Sequence, residues 1–529
     1  MSRTDAISRT DSPMQSRSDW VSARSKIKTL EELAAMAAAA RAAGEKVVLA
    51  HGTFDLLHMG HVRHLEAARR EGTMLFVTVT SDKFVNKGPG RPVYPELLRA
   101  EMLAAIEYVD GVAISQGPSA EPMIEAIRPS IFVKGSDYKN EEDDVTGKIT
   151  SERKAAEKFG GKLVFTDDIT FSSSRLINRY LNVYDPSLQS YLQGMRDDGA
   201  LERLLDMIAK VENFRVLMVG DAIIDEYSYV TPLGKSAKEN MIATKAINSE
   251  RFAGGIFATA NHVASFCKHV EILTVLGEYD GYAELLHQTL KPNIKLTALY
   301  RKDSPTTRKT RFVDAYSYRK LFEVCALEDR PISEDLESAL VREIQRRAKD
   351  FDLVVVNDFG HGMLHGAGVE ALIAEAPFLA VNAQSNSANH GYNLITKYRR
   401  VDYACMDDPE ARLAVQDKYS EGRIVVGNKL ANAIDCATIV VTEGKHGCWS
   451  YARGKELVQV PALTNSIVDT VGAGDAFFGI TAPFAKVGAS AADIGFLGNA
   501  AGAIKVGILG HRTSVGKVEF IKFLTALLK

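Results

Sequence analysis

Cysteine is scarce in this chain of 529 residues: there are 5, an odd number, and none belongs to a Cys-x-x-Cys pair. Cys267, Cys325, Cys405, Cys436 and Cys448 all lie in the second half, which argues against a disulfide framework or a structural zinc site and fits a reducing cytosol. Long apolar runs are missing too. No stretch approaches the roughly eighteen apolar residues that a spanning helix needs. The Ala-rich stretch Leu33–Ala43 is short, flanked by Glu31, Glu32 and Arg41, and reads as a plain helix closed by Gly44. The first 25 residues alternate Ser, Arg and Asp without an apolar segment, so neither a signal nor a transit peptide is expected and 1–25 reads as a disordered tail. Charge of either sign is not in excess, the net value being −3, and no nucleic-acid surface is implied. No internal repeat connects the halves. These absences leave a cytoplasmic protein acting on small molecules, without nucleic-acid or membrane partners.

The length exceeds what one core holds, and two or three domains are expected. Between about 45 and 180, strand-like runs (Val47–Ala50, Leu75–Thr80, Gly111–Ser115, Ile131–Lys134, Lys162–Phe165) alternate with helix-like ones such as Glu96–Tyr108 and Glu121–Ile127. That alternation predicts an α/β domain, a parallel sheet with helices on both faces. From 181 to 212 the strand pattern stops and a polar helical connector is predicted. Arg215–Val219 then opens a second α/β unit with strands at Glu271–Leu276, Leu353–Asn357, Phe378–Asn382 and Thr438–Thr442. Its segment at about 226–252, with Tyr227, Tyr229 and Val230, is read as a small β lid over a ligand site. The expected division is therefore a tail at 1–25, a first domain at 26–180, a connector at 181–212 and a second domain at 213–529.

Gly52-Thr53-Phe54-Asp-Leu-Leu-His58-Met-Gly-His61 follows the first strand and opens an amphipathic helix. Two imidazoles three residues apart face the same way at a helix start, where free N–H groups and the dipole favour a phosphate. His58 and His61 would then stabilise phosphate oxygens during attack at an α-phosphorus. The competing reading makes them capping or core histidines. His51 and His64 read as structural. Beyond this motif, Lys87, Arg91 and Arg99 would neutralise charge as pyrophosphate leaves, Lys134 and Asp137 stand in a strand-end turn, and Ser172, Ser173 and Ser174 offer a further phosphate cradle.

The second strong motif is Asp469-Thr-Val-Gly472-Ala473-Gly474-Asp475-Ala-Phe-Phe-Gly479. Two glycines let backbone N–H groups converge as an anion hole at a helix start. Asp475 beside that hole could take the proton of an attacking sugar hydroxyl. Alternatively it is an ordinary helix cap in a glycine-rich turn.

The Gly52–His61 string resembles the nucleotidylyltransferase superfamily signature, and Asp469–Gly479 resembles that of the ribokinase (PfkB) carbohydrate kinases. Gly52–His61, Lys87, Arg91-Pro-Val, Arg99, Val133-Lys-Gly-x-Asp-Tyr138 and Ser172–Ser174, taken in order, are similar to the adenylyltransferase domain of the bifunctional heptose kinase/adenylyltransferase family that makes ADP-heptose for bacterial lipopolysaccharide. The resemblance implies a Rossmann-like first domain and a ribokinase-like second one. It further implies ATP as phosphoryl donor, ATP or CTP as nucleotidyl donor, Mg²⁺, sugar or sugar-phosphate substrates with heptose leading, and a homodimer. On the kinase side it assigns Asp225, Gly254, Gly255, Lys309 and Arg311 to the sugar or its phosphate. Gly444, Gly447 and Asn499 fall to the ATP side, with Asp407 and Glu410 as Mg²⁺ ligands.

Several positions depart from the family pattern. Ala258 stands where Gly-Gly-x-x-Asn has its Asn, Asp407-Asp-Pro-Glu410 replaces Asn-x-x-Glu, Asn382–Asn389 replaces an Asp-Pro-Lys segment, and His361 replaces a Lys. The domain order is also reversed. Two other readings stay open: a cytidylyltransferase for a polyol phosphate joined to an unrelated kinase, and a kinase half that only senses sugar or dimerises.

Overall fold

The computed structural model describes residues 22–85, 91–117, 119–135, 148–166, 184–279, 282–302, 304–464 and 467–529. They form two compact units, 22–166 and 184–529. No helix among the described residues is long and apolar enough to cross a membrane.

In the first unit the apolar runs become β1 (Val47–Gly52), β2 (Met74–Thr80), β3 (Gly111–Ser115), β4 (Ile131–Gly135) and β5 (Lys162–Thr166). All pair in parallel, in the order β3-β2-β1-β4-β5. Successive strand side chains point to opposite faces. Val47 and Leu49 therefore enter a core with Leu33, Ala37 and Ile124, while Val48 and Ala50 join Leu65, Leu103 and Val133 on the other face. Helices cover both faces, which is why the strands read as continuous apolar runs. The strand order reverses beside β1, so the crevice beyond the carboxyl end of β1 is the natural ligand position, and the chain leaves β1 there for the His58 turn.

The second unit has β6 (Arg215–Gly220), β7 (Ala222–Lys235), β8 (Ile242–Gly255), β9 (His269–Gly277), β10 (Ile294–Arg301), β11 (Thr307–Asp314) and β12 (Lys320–Ala326). After these come β13 (Leu353–Asp358), β14 (Leu379–Ala383), β15 (Arg400–Asp407), β16 (Asp435–Thr442), β17 (Cys448–Ala452) and β18 (Glu456–Val460). Nine of them form one sheet in the order β10-β9-β6-β13-β14-β15-β16-β17-β18, parallel up to β16 and antiparallel at the last two. The lid expected at 226–252 is larger than its sequence signal. The β7–β8 hairpin is extended by β11 and β12 into a separate four-stranded sheet, β12-β11-β7-β8.

The stretch read as a polar helical connector is helical, but its two helices, Pro186–Asp197 and Ala200–Val211, are amphipathic and docked on the second unit. Asp185 caps the first by accepting from the N–H groups of Ser187 and Leu188. Leu188, Leu192, Leu204, Ile208 and Val211 are buried in the same core as Leu524 and Leu527, and Arg196 donates to Leu527 O at 2.7 Å. The polar residues that dominate the composition lie on one helix face, and apolar residues at helical spacing lie on the other. Overall polarity concealed that period. Leu204→Ala should therefore destabilise the second unit by about 2–5 kcal/mol. A chain starting at Tyr184 should melt cooperatively, whereas one starting at Arg215 should not; circular-dichroism melting checks both.

Candidate active sites

At the first site His58 is the N-cap of helix Met59–Arg70, with extended backbone (φ −141°, ψ 170°). Its Nδ1 accepts from Gly60 N at 3.1 Å, and its own N–H donates to Nδ1 of His61 at 3.3 Å. The rings lie 4.0 Å apart, with Phe54 edge-on to His61 at 5.3 Å. The capping reading and the phosphate reading are thus compatible. A Nδ1 that accepts leaves the proton on Nε2, and Nε2 of His58 is buried with no partner. Burial holds the His58 pKa below the ordinary histidine value. The ring is then neutral near pH 7, and its Nε2–H is the one donor not engaged in the cap.

Three of the cations expected at this site, Arg91, Arg99 and Lys134, have acidic partners within the unit. Arg99 is buried and donates to Tyr94 O, Thr53 O and Thr80 O, with an ion pair to Asp82 at 2.6 Å. Arg91 forms a buried ion pair with Asp55, whose carboxylate also accepts from Val93 N. Both arginines brace the turn that carries His58. Lys134 pairs with Glu152 at 2.8 Å. His51 and His64 are structural as read, bonding Thr78 at 2.9 Å and Thr166 at 2.8 Å. Lys87, Asp137, Ser172, Ser173 and Ser174 lie outside the described residues.

At the second site Gly472 caps helix Ala473–Lys486 in the left-handed region (φ +78°). A Cβ there would fall 2.4 Å from His511 Cε1, so only glycine fits. At Gly474 a Cβ would meet nothing within 4 Å; the helix start opens onto free space. Asp475 is 7% exposed and accepts from Gln384 Nε2 at 3.3 Å. Burial raises its pKa above the usual carboxylate value, in the direction a general base requires.

Asp225, expected to bind sugar, is buried between Arg311 and His511, whose Nε2 lies 3.2 Å from its Oδ2. Burial pushes the Asp225 carboxyl up, but the His511 hydrogen bond and the Arg311 charge outweigh it and hold the group well below the carboxylate range. Arg311 also pairs with Glu323 at 2.8 Å. Arg311, expected at a sugar phosphate, thus has two acidic partners inside the lid sheet. Lys309, next to it on β11, makes no ion pair among the described residues and lies 6.0 Å from the Phe359 ring. Gly254 is required for a reason the sequence did not show, because a Cβ there would sit 2.0 Å from Asp225 Oδ2.

Glu410 and Asp407 form a capping box: Asp407 N donates to Glu410 at 2.9 Å and Glu410 N to Asp407 at 2.8 Å. Glu410 also accepts from Ser385 N at 2.9 Å. Burial, then Asp407 and Asp475, raise the Glu410 pKa to about 8, an environment that a cation would relieve. No cluster of three or more metal-ligating side chains occurs among the described residues, so a Mg²⁺ here would rely on nucleotide oxygens and water. Gly444 and Gly447 bound a short turn between β16 and β17. Asn499, expected near adenine, has its amide engaged with Val460 O and Pro461 O, both at 3.0 Å. It pins the loop after β18.

Sequence reasoning missed His511, Gln384 and Lys505. Lys505 is fully buried and donates to Val471 O and Gly510 O. All three meet the site only through folding.

The family model for pfkB carbohydrate kinases matches residues 213–517. The chain belongs to that family. A cytidylyltransferase-like model matches 49–179, so the pfkB domain follows a nucleotidyltransferase-like one. Three relatives called bifunctional protein HldE are similar to part of the chain. The one from Alcanivorax borkumensis is 40% identical over 145 residues, covering 26% of this chain and 29% of that protein. The one from Methylobacillus flagellatus is 40% identical over 158 residues, covering 30% and 31%, and that from Trichlorobacter lovleyi 39% over 165 residues, covering 30% and 32%. The chain thus matches about a third of the length of these curated relatives. Among solved structures, ribokinase from Thermotoga maritima is similar at 20% identity with a TM-score of 0.46, covering 59% of this chain and 99% of its own. Phosphofructokinase-2 from Escherichia coli is similar at 16% identity with a TM-score of 0.49, covering 60% and 100%.

Two outcomes follow for the pfkB domain. Gly254→Ala should displace Asp225 and cost about 1–3 kcal/mol in urea unfolding. Asp225→Asn leaves Arg311 without its buried partner and should cost about 3–5 kcal/mol at pH 7. Because the folded-state pKa of Asp225 lies below its unfolded value of about 3.9, its contribution is present above that pH and lost as pH falls through the folded value. The gap between variant and wild type should narrow below about pH 4, as measured by unfolding across pH.

Proposed function

We propose that the chain activates a sugar in two steps. The pfkB domain phosphorylates a sugar or sugar phosphate at its anomeric hydroxyl, with heptose 7-phosphate the leading substrate, and the first domain joins the 1-phosphate to a nucleotide. What carries this reading is Asp475, a buried carboxyl of raised pKa at the head of a helix whose Gly472–Gly474 start is open. Asp475 takes the hydroxyl proton as that oxygen bonds to the γ-phosphorus of ATP, and the bond from that phosphorus to the leaving ADP oxygen breaks. Backbone N–H groups at the helix start stabilise the equatorial oxygens. Mg²⁺ held with the nucleotide supplies charge neutralisation, and Glu410 is the residue suited to it. Gln384 orients Asp475. Asp225 and Lys309 are the sugar-side contacts.

In the first domain a sugar 1-phosphate oxygen attacks the α-phosphorus of ATP or CTP and pyrophosphate leaves. His58 donates through Nε2 while Nδ1 stays locked in the cap, and His61 acts beside it. The printed name of the relatives, a bifunctional protein, supports pairing the two chemistries. The pair is assembled as a homodimer through the lid, whose Leu233, Met241, Ile242, Ile247, Phe322 and Val324 are exposed, more apolar surface than an unpartnered sheet normally shows.

Asp475→Asn should lower sugar phosphorylation by ~10²–10⁴-fold and leave nucleotidyl transfer near wild type. His58→Ala and His61→Ala should each lower pyrophosphate exchange by ~10²-fold with kinase turnover retained. Assaying each half-reaction on its own decides both, and phosphorus-coupled NMR of the kinase product fixes the position: a phosphate on a non-anomeric oxygen contradicts the pathway.

A further inference from the structure

Helix Ala491–Lys505 ends on a lysine with no exposed surface. Lysine is among the side chains least often buried, because desolvating an ammonium is costly unless it is well bonded. Lys505 Nζ donates to Gly510 O at 2.7 Å and to Val471 O at 2.8 Å, and among the described residues no carboxylate comes within ion-pair distance of it. Two backbone carbonyls thus ligate a monovalent cation that happens to be covalently attached. Asp469, Asp475 and Asp225 add negative potential, opposed by Lys320, and His262 faces it as well.

The position of these carbonyls matters. In a planar trans peptide the C=O and the following N–H point in opposite directions. With Val471 O drawn to Lys505, the N–H of Gly472 is turned the other way. That N–H donates to no other group among the described residues, and it belongs to the turn that opens helix Ala473–Lys486. Lys505 Cε also packs on Gly472, 3.2 Å from where a Cβ would lie. A salt-bridging lysine that merely held the fold would seek a carboxylate, and Asp469 is nearby but bonded instead to Lys320, Tyr227, Gly510 N and Val471 N.

We propose that Lys505 is a positioning residue of the kinase site, a built-in monovalent cation that sets the Val471–Gly472 peptide and places positive charge behind the turn whose N–H groups face the transferring phosphoryl group. This rests on the reading of Gly472–Asp475 as the phosphoryl-transfer site. The test uses the full chain with Lys505→Met, which keeps the chain length and removes the charge, and with Lys505→Gln should the first variant fail to fold. Expected are a ~10²-fold fall in kcat with little change in sugar KM and saturable recovery with ammonium chloride but not with tetramethylammonium chloride. The melting temperature of the variant, and not of wild type, should also rise with ammonium, since a ligand that binds only the folded form stabilises it. That last readout needs no turnover, so it tests the cation site even if the kinase reading fails. A variant with wild-type kcat overturns the proposal, as does a variant that ammonium neither reactivates nor stabilises, or one on which both salts act alike.

Discussion

Asp469 joins the lid of the second unit to its α/β body. The carboxylate accepts from Tyr227 on β7 at 2.7 Å, from Lys320 at the start of β12, and from the backbone N–H groups of Val471 and Gly510. Despite burial, these donors, led by Lys320, hold its pKa at about 2. A charge so enclosed needs all its partners. The lid sheet, the turn before Gly472 and the turn at Gly510 are therefore fixed together at one carboxylate.

The same economy of donors governs the first unit. A helix start leaves N–H groups that must be satisfied, and His58 and His61 satisfy them through Nδ1. The cap selects the tautomer, and the tautomer selects the atom left for chemistry. Arg99 and Arg91 hold that site's loop by binding carbonyls, Asp82 and Asp55. Preorganisation of this kind is where electrostatic stabilisation of a transition state originates, since the donors need not reorganise when charge develops.

The two units place charge differently. In the first, Arg91 and Arg99 are paired with Asp55 and Asp82, and the imidazole beside them keeps a buried Nε2 without a partner. In the second, acids dominate: Asp225, Asp469, Asp475 and Glu410 are gathered near one helix start, and Arg311, His511, Lys320 and Lys505 answer them from the lid and from the turns around Gly510. Burial raises the Asp475 pKa, while His511 and Arg311 hold that of Asp225 down, so two neighbouring carboxylates behave oppositely.

Much of this architecture was legible without coordinates. The apolar runs at Val47, Leu75, Gly111, Ile131 and Lys162 became β1 to β5 because strand burial on both faces writes itself as continuous hydrophobicity. Gly472 and Asp475 announced a helix start because local backbone needs are met by local residues. The docked helices at 186–211 and the extent of the lid were not legible, since a half-polar helix and an exposed strand have compositions that loops share. Nor were the partners of Arg311, Arg99 and Asn499, nor the presence of His511 and Lys505. A charged side chain signals only that it needs a counterpart. Which group answers it depends on elements far apart in the chain meeting at one point, and that is settled by packing alone.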